Sequence, residues 1–168
     1  MTTNATKPVG VIGAGTMGAG IAQAAAAAGW TVRLFDVEKS LVDQAVTNIT
    51  KRFIRLVEKG RIPNDKATEY QNRIIVTTNL QSLADCDLII EAIVEDFKIK
   101  TTVLREIAQV ASDAVIATNT SSLSVSELGD ACGSPQRVVG MHFFNPAPIM
   151  PLVEVIRGEK SSESAIQR

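Results

Sequence analysis

The chain has 168 residues, 45% of them hydrophobic and 21% charged, with a formal net charge of -1. That is the size and composition of one ordinary globular domain. Acidic and basic residues are interspersed, so no basic excess points to nucleic acid or to an anionic membrane surface.

The start, Met1 to Lys7, is polar and carries no apolar signal core. Val9-Gly10-Val11-Ile12 is a short apolar run ending in a glycine-rich turn, as a buried parallel strand does. Met17 to Ala28 is small and apolar and predicts a helix packed closely on a sheet, stopped by Gly29. Its longest apolar stretch, Ala24 to Ala28, is far below the roughly 20 residues of a membrane span. Thr31 to Phe35 predicts a second strand, completing one βαβ unit that ends at Asp36.

Ser40 to Lys59 has helical periodicity, with Leu41, Ala45, Ile49, Phe53 and Leu56 on one face. Ile62-Pro63-Asn64-Asp65 restarts a short helix through about Gln71, so the two segments predict a charged helical hairpin. Further strands are expected at Ile74–Val76, Leu88–Ile90, Val115–Ala117, Val138–Met141 and Val153–Ile156. Helices are expected at Lys98–Val110 and Val125–Ala131, and the polar tail from Gly158 could open another at Ser162 to Ala165. This alternation predicts an α/β fold: a Rossmann-type, doubly wound, mostly parallel sheet with a helical hairpin inserted after the second strand. Cys86 and Cys132 have neither metal-ligand nor C-x-x-C spacing, so no metal site is expected and both read as reduced, semi-buried small residues. The expected compartment is cytoplasm-like, with neither a membrane nor nucleic acid as partner.

The loop Gly13-Ala14-Gly15-Thr16-Met17-Gly18 follows a strand and opens a helix. In that context Gly13 permits the tight turn, Gly15 lets the backbone approach a pyrophosphate, and Gly18 lets helix and strand pack closely. The helix N-terminus offers free N–H groups and partial positive charge to phosphates. Asp36 lies where a carboxylate on the ribose hydroxyls is expected, and it would repel a 2′-phosphate, so NAD is favoured over NADP. Arg33 and Lys39 nearby soften that preference. A helix N-terminal acid is the structural alternative for Asp36.

Most predicted strands end in a polar residue: Asp36, Glu91, Asn119 to Ser122, and His142, the chain's one histidine. In an open α/β sheet the ligand lies beyond the carboxyl ends of the strands, so these residues should converge on one crevice. An imidazole titrates close to neutral pH and suits reversible proton transfer, and Glu154 is a carboxylate within reach to orient it.

Gly13 to Ala22 (G-A-G-T-M-G-A-G-I-A), Glu91-Ala92-Ile93-Val94-Glu95, Asn119-Thr120-Ser121-Ser122-Leu123, and His142-Phe143-Phe144-Asn145-Pro146 with Val153-Glu154-Val155-Ile156 resemble the NAD-binding domain of L-3-hydroxyacyl-CoA dehydrogenases. The resemblance runs from about Val9 to Ile156, and the helical hairpin is part of it. It implies fatty acid metabolism of the β-oxidation type, with L-3-hydroxyacyl-CoA oxidised to 3-oxoacyl-CoA. His142 is then the general base and Glu154 its orienting partner. Ser121 and Asn145 position the substrate oxygen and the nicotinamide end of NAD, with Thr16 and Met17 in the cofactor loop. Glu95 and Lys100 line the nicotinamide side, a role competing with a helix-surface pair, and Ser121 could instead cap a helix. Lys59, with Arg52 and Arg55 close by, would meet the phosphates of the acyl-CoA carrier; a solvated helix face accounts for the same charges.

Family members carry a second, all-helical domain that dimerises, closes over the acyl chain and supplies an Asn. The expectation is therefore that residues 1–168 are a single NAD-binding domain, truncated and without that second domain, which binds NAD but turns over poorly by itself. Two other readings stand beside the dehydrogenase. One is a relative acting on a free 3-hydroxy acid or sugar acid, for which a lysine acid/base would be expected. The other is a catalytically idle NAD-binding or structural protein.

Overall fold

The structure is a computed structural model that describes residues 7–168; the polar start read as lacking a signal core lies, up to residue 6, outside the described residues. The elements run β1 (Val9–Ile12), α1 (Thr16–Ala27), β2 (Val32–Phe35), α2 (Lys39–Glu58), α3 (Asn64–Asn72), β3 (Ile74–Thr77), β4 (Leu88–Glu91), α4 (Phe97–Val110), β5 (Val115–Thr118), α5 (Val125–Cys132), β6 (Val138–Phe143), β7 (Val153–Arg157) and α6 (Glu163–Gln167). A single 3-10 turn at Leu80–Leu83, which the periodicity does not announce, links β3 to β4.

The seven strands form one sheet in the order β3-β2-β1-β4-β5-β6-β7. The first six are parallel and β7 returns antiparallel beside β6. The strand order reverses direction at β1–β4, the switch point of a doubly wound sheet, where the β1–α1 turn and the end of β4 lie side by side. The expected mostly parallel Rossmann-type sheet with its helical hairpin (α2, α3) is what the chain adopts.

Each sheet face has its own apolar layer. On one, Ala19, Ala22 and Ala26 of α1 and Ala45, Ile49 and Phe53 of α2 join Val11, Leu34 and Ile90 of the strands. On the other, Leu104 and Ile107 of α4 and Leu128 of α5 cover Ile12, Ile89 and Ile116. The alanines of α1 let the helix axis approach the sheet, and full burial of β1 on both faces explains its unbroken apolar run. In α2 the buried stripe is Val42, Ala45, Ile49 and Phe53; Leu41, expected on that stripe, is 39% exposed, because the helix presents the neighbouring valine instead.

Local capping sets the helix starts. The Asp96 carboxylate accepts the Ile99 N–H at 2.9 Å to open α4, and Ser124 accepts the Glu127 N–H at 3.2 Å to open α5. Ser162 caps α6, the helix foreseen in the polar tail. Cys86 and Cys132 are unpaired and buried, and burial pushes the Cys86 thiol up to about 11. Among the described residues no helix is long and apolar enough to cross a membrane.

Candidate active site

The β1–α1 turn is built to keep side chains out. Gly13 has φ +98° and a Cβ there would lie 2.6 Å from the Ala92 carbonyl oxygen, while a Cβ on Gly18 would lie 1.7 Å from the Gly13 carbonyl oxygen. A Cβ on Gly15 would meet nothing within 4 Å. Space therefore opens over Gly15, at the head of α1, whose first turn has no acidic residue and no side-chain cap. Unsatisfied N–H groups beside a side-chain-free opening suit a pyrophosphate. Asp36, just past β2, accepts the Ala14 N–H at 2.8 Å through Oδ2 and the Glu38 N–H at 3.1 Å through Oδ1. These bonds fix its carboxylate beside the glycine loop and leave further lone pairs for ribose hydroxyls. The residues present fit a dinucleotide such as NAD.

Beyond the ends of β4, β5 and β6 lies a cavity of about 310 Å³, with Met17, Glu95, Asn119, Ser121, His142 and Asn145 on its wall. Of the scattered strand-end residues, Asn119, Ser121 and His142 converge on this wall; Thr120 and Ser122 stand behind it on Glu95, Asp36 belongs to the glycine-loop side, and Glu91 is fully buried. His142, expected at the end of the strand, lies inside β6, which runs on to Phe143, and is directly opposite Glu154 of β7. Antiparallel pairing brings these two together, Nδ1 to Oε2 at 2.9 Å. The Phe144 ring packs at 4.7 Å between centroids against the imidazole. With Nδ1 taken by Glu154, Nε2 is the nitrogen left for a substrate.

Glu95 is the hub of the opposite wall. Its Oε1 accepts the Thr120 hydroxyl at 2.5 Å and the N–H groups of Ser121 and Ser122 at 2.9 and 3.2 Å. Its Oε2 lies 3.3 Å from Lys100 Nζ. Desolvation raises the Glu95 pKa, but the Thr120 hydroxyl, the Ser121 N–H and the Lys100 charge together outweigh it and hold the carboxyl down at about 2. Lys100, expected to line the cavity, is only 1% exposed: its ammonium bonds Glu91 Oε1 at 2.7 Å and reaches the cavity only through Glu95. Glu91 also accepts the Ile93 N–H and the Thr118 hydroxyl.

Asn119, expected among the converging strand-end residues but given no role of its own, stands on the wall. Its Oδ1 accepts the Phe143 N–H at 2.8 Å, tying the end of β5 to the residue after His142. Its signal was its place at the head of N-T-S-S, beside the Ser121 already chosen.

A second cavity of about 450 Å³ lies between α1, α2 and the Asn145–Ile149 segment, and Asn145 borders both cavities. Thr16, Gln23, Arg52 and Arg55 stand on its wall, with Arg52 donating to Gln23 Oε1 at 3.3 Å. Lys59, the residue expected to meet carrier phosphates, is the exposed C-cap of α2, outside that wall. Lys59, four residues after Arg55 and seven after Arg52, shares their side of α2, but it stands at the C-cap, farther along the axis than the wall reaches.

The family model describing the 3-hydroxyacyl-CoA dehydrogenase NAD-binding domain matches residues 8–168. A fatty acid oxidation complex subunit alpha of Pseudomonas putida is 44% identical over 161 residues, covering 95% of this chain and 22% of that protein. The solved 3-hydroxybutyryl-CoA dehydrogenase of Escherichia coli superposes with a TM-score of 0.93 at 37% identity, over 96% of this chain and 34% of that one. The (S)-3-hydroxybutyryl-CoA dehydrogenase of Ralstonia eutropha superposes with a TM-score of 0.93 at 36% identity, over 97% and 58%. The chain spans from 22% to 55% of the length of the curated relatives it matches.

Proposed function

The chain belongs to the family of the 3-hydroxyacyl-CoA dehydrogenase NAD-binding domain, and from that premise we propose that it serves the NAD-dependent oxidation of an L-3-hydroxyacyl-CoA to the 3-oxoacyl-CoA. The observation that carries the reading is His142 on the wall of a cavity, held from behind by Glu154, beside a glycine loop open over Gly15.

In this reading NAD, when bound, supplies the acceptor for the hydride removed from C3 of the substrate. His142 takes the hydroxyl proton at Nε2. Glu154 holds the ring by Nδ1, so that Nε2 faces the substrate, and stabilises the imidazolium that forms. Ser121 and Asn145 lie on the same wall and orient the substrate oxygen and the nicotinamide end of the cofactor. Gly13, Gly15, Thr16, Met17 and Gly18 hold the pyrophosphate side, and Asp36 the ribose. Glu95 faces the nicotinamide side, and Lys100 acts through it as a positioning residue.

The second cavity extends the reading to the carrier. Its apolar wall at Leu56, Ala147 and Ile149 suits the pantetheine arm, and Arg52 and Arg55 on that wall, with Lys59 beyond it at the C-cap of α2, suit the phosphates. A free hydroxy acid would need neither. The His142–Glu154 pair also favours this reading over a lysine-based hydroxy-acid dehydrogenase and over an idle NAD-binding module. A cytoplasmic setting without nucleic acid as partner, and the homodimer expected of full-length family proteins, complete the proposal.

The test is the reverse reaction. NADH and acetoacetyl-CoA are mixed with the protein, alone and joined to the following region of a relative, and NADH absorbance is followed. Consumption that falls by roughly 10²–10⁴ in H142Q, with NADH affinity unchanged, supports the assignment. Consumption that survives H142Q refutes His142 as base, and acetoacetate consumed as well as acetoacetyl-CoA refutes the carrier.

A further inference from the structure

Beneath the cavity lies a row of three charges: Glu91, Lys100 and Glu95. Glu91 ends β4, between Ile12 of β1 and Thr118 of β5, and is 0% exposed. Every approach to its carboxylate is taken from within the protein: Oε1 by the Ile93 N–H and the Lys100 ammonium, Oε2 by the Thr118 hydroxyl. It touches nothing in the cavity, so the proton-transfer chemistry makes no use of it. Lys100, also buried, stands 2.7 Å from Glu91 and 3.3 Å from Glu95, whose side chain is 36% exposed on the cavity wall.

Counting charge across the row, two carboxylates and one ammonium leave -1. The shorter, fully buried contact neutralises Lys100 on Glu91. The charge left over is then that of Glu95, at the cavity surface. Without Glu91 the same ammonium, 3.3 Å from Glu95, would cancel the carboxylate that the cavity sees. A buried ion pair costs desolvation and is weak evidence for stability by itself, so its presence under a binding cavity invites a role in what the cavity binds.

We propose that Glu91 is a positioning residue that neutralises Lys100 from below, keeping the Glu95 carboxylate uncompensated so that the site favours the positively charged oxidised nicotinamide over the neutral reduced ring. The inference rests on the reading above, in which Glu95 faces the nicotinamide side. The hydrogen bonds from Thr120, Ser121 and Ser122 keep Glu95 ionised, so its charge is present at any working pH.

The experiment measures Kd for NAD⁺ and for NADH separately, by calorimetry or NADH fluorescence with no turnover required, at one ionic strength. The readout is the ratio Kd(NADH)/Kd(NAD⁺). E91Q keeps the shape of the buried side chain and should lower the ratio by roughly three- to thirty-fold, the span expected for one unit charge acting at an effective dielectric near 20. E95Q should lower it by a similar factor. The double variant E91Q/K100M removes both buried charges, leaves Glu95 alone, and should restore the wild-type ratio, a rescue that a merely structural role would not give. An E91Q ratio equal to wild type while that of E95Q falls overturns the proposal and leaves the cofactor reading intact. A double variant whose ratio stays at the E95Q level overturns it too, even if E91Q by itself does not fold. A ratio unmoved by E95Q, or no binding of either cofactor form, overturns the cofactor reading beneath it.

Discussion

At the β1–α1 turn the molecule offers its backbone; at the ends of β4 to β6 it offers side chains. The turn works by exclusion, because carbonyl oxygens of Gly13 and Ala92 occupy the places where Cβ atoms of Gly18 and Gly13 would stand. The strand ends work by satisfaction, because Glu91, Glu95, Asn119 and His142 each have a bonded partner that fixes their direction. The lesson is that damage should differ in kind. A methyl group at Gly13 or Gly18 attacks the fold, whereas an isosteric change at the strand ends should leave the fold and remove chemistry.

The largest effect should come from Gly18→Ala. Its methyl would fall 1.7 Å from a backbone oxygen, which cannot swing away as a side chain could. We expect a loss of roughly 3–5 kcal/mol, read as a fall in Tm, with NAD binding lost alongside. A variant that melts like wild type would break the comparison at its stronger end.

Next is Glu154→Gln. The amide can donate to Nδ1 of His142 and so place the ring proton on Nε2, the nitrogen that must accept. Turnover should fall by about 10²–10⁴ while Tm and NADH affinity stay near wild type. A matching fall in Tm would mean that the pair holds β6 to β7 instead of serving chemistry.

Gly15→Ala sharpens the contrast within the turn itself. Its Cβ meets no protein atom within 4 Å and its φ of -68° suits alanine, so the fold should survive. NAD affinity should drop at least about ten-fold, because the methyl takes up space needed by the pyrophosphate. Titration of NADH fluorescence checks this against the melt of the same sample.

The smallest effect is electrostatic. The Glu95 carboxyl is held at about 2 against an ordinary 4.5, a depressed value, so its ionised form contributes stability above pH 4.5 and that contribution fades as pH falls toward 2. Tm measured over that window should fall less steeply in E95Q than in wild type. Identical slopes would show that the Thr120–Ser122 turn does not depend on this charge.

Much of this was legible in the chain. Gly13 to Gly18 between a strand and a helix, followed by Asp36, implied the cofactor loop, because backbone approach and helix polarity are local properties of those residues. His142 and Glu154 were legible as a candidate pair, since the carboxylate follows the chain's one histidine by about one strand-length. Less legible was depth. Glu91, Glu95 and Lys100 are all charged and lie within ten residues, yet two are buried and one meets the cavity. Lys59 read ahead of Arg52 and Arg55 as the residue for carrier phosphates, but the arginines stand on the cavity wall beside α1 and the lysine, at the C-cap, lies past its end.

The alternation of strands and helices, the glycine loop, and His142 and Glu154 as the candidate base and its partner are all readable in the sequence, from patterns spanning a few residues to about one strand. Only the tertiary structure decided that β7 returns antiparallel to set Glu154 opposite His142, that Asn119 braces the residue after it, and which of three neighbouring charges faces the cavity. Those outcomes depend on which strands become neighbours and on which side of a helix meets the sheet. Both are settled by burying apolar surface across the whole domain, and no local pattern encodes them.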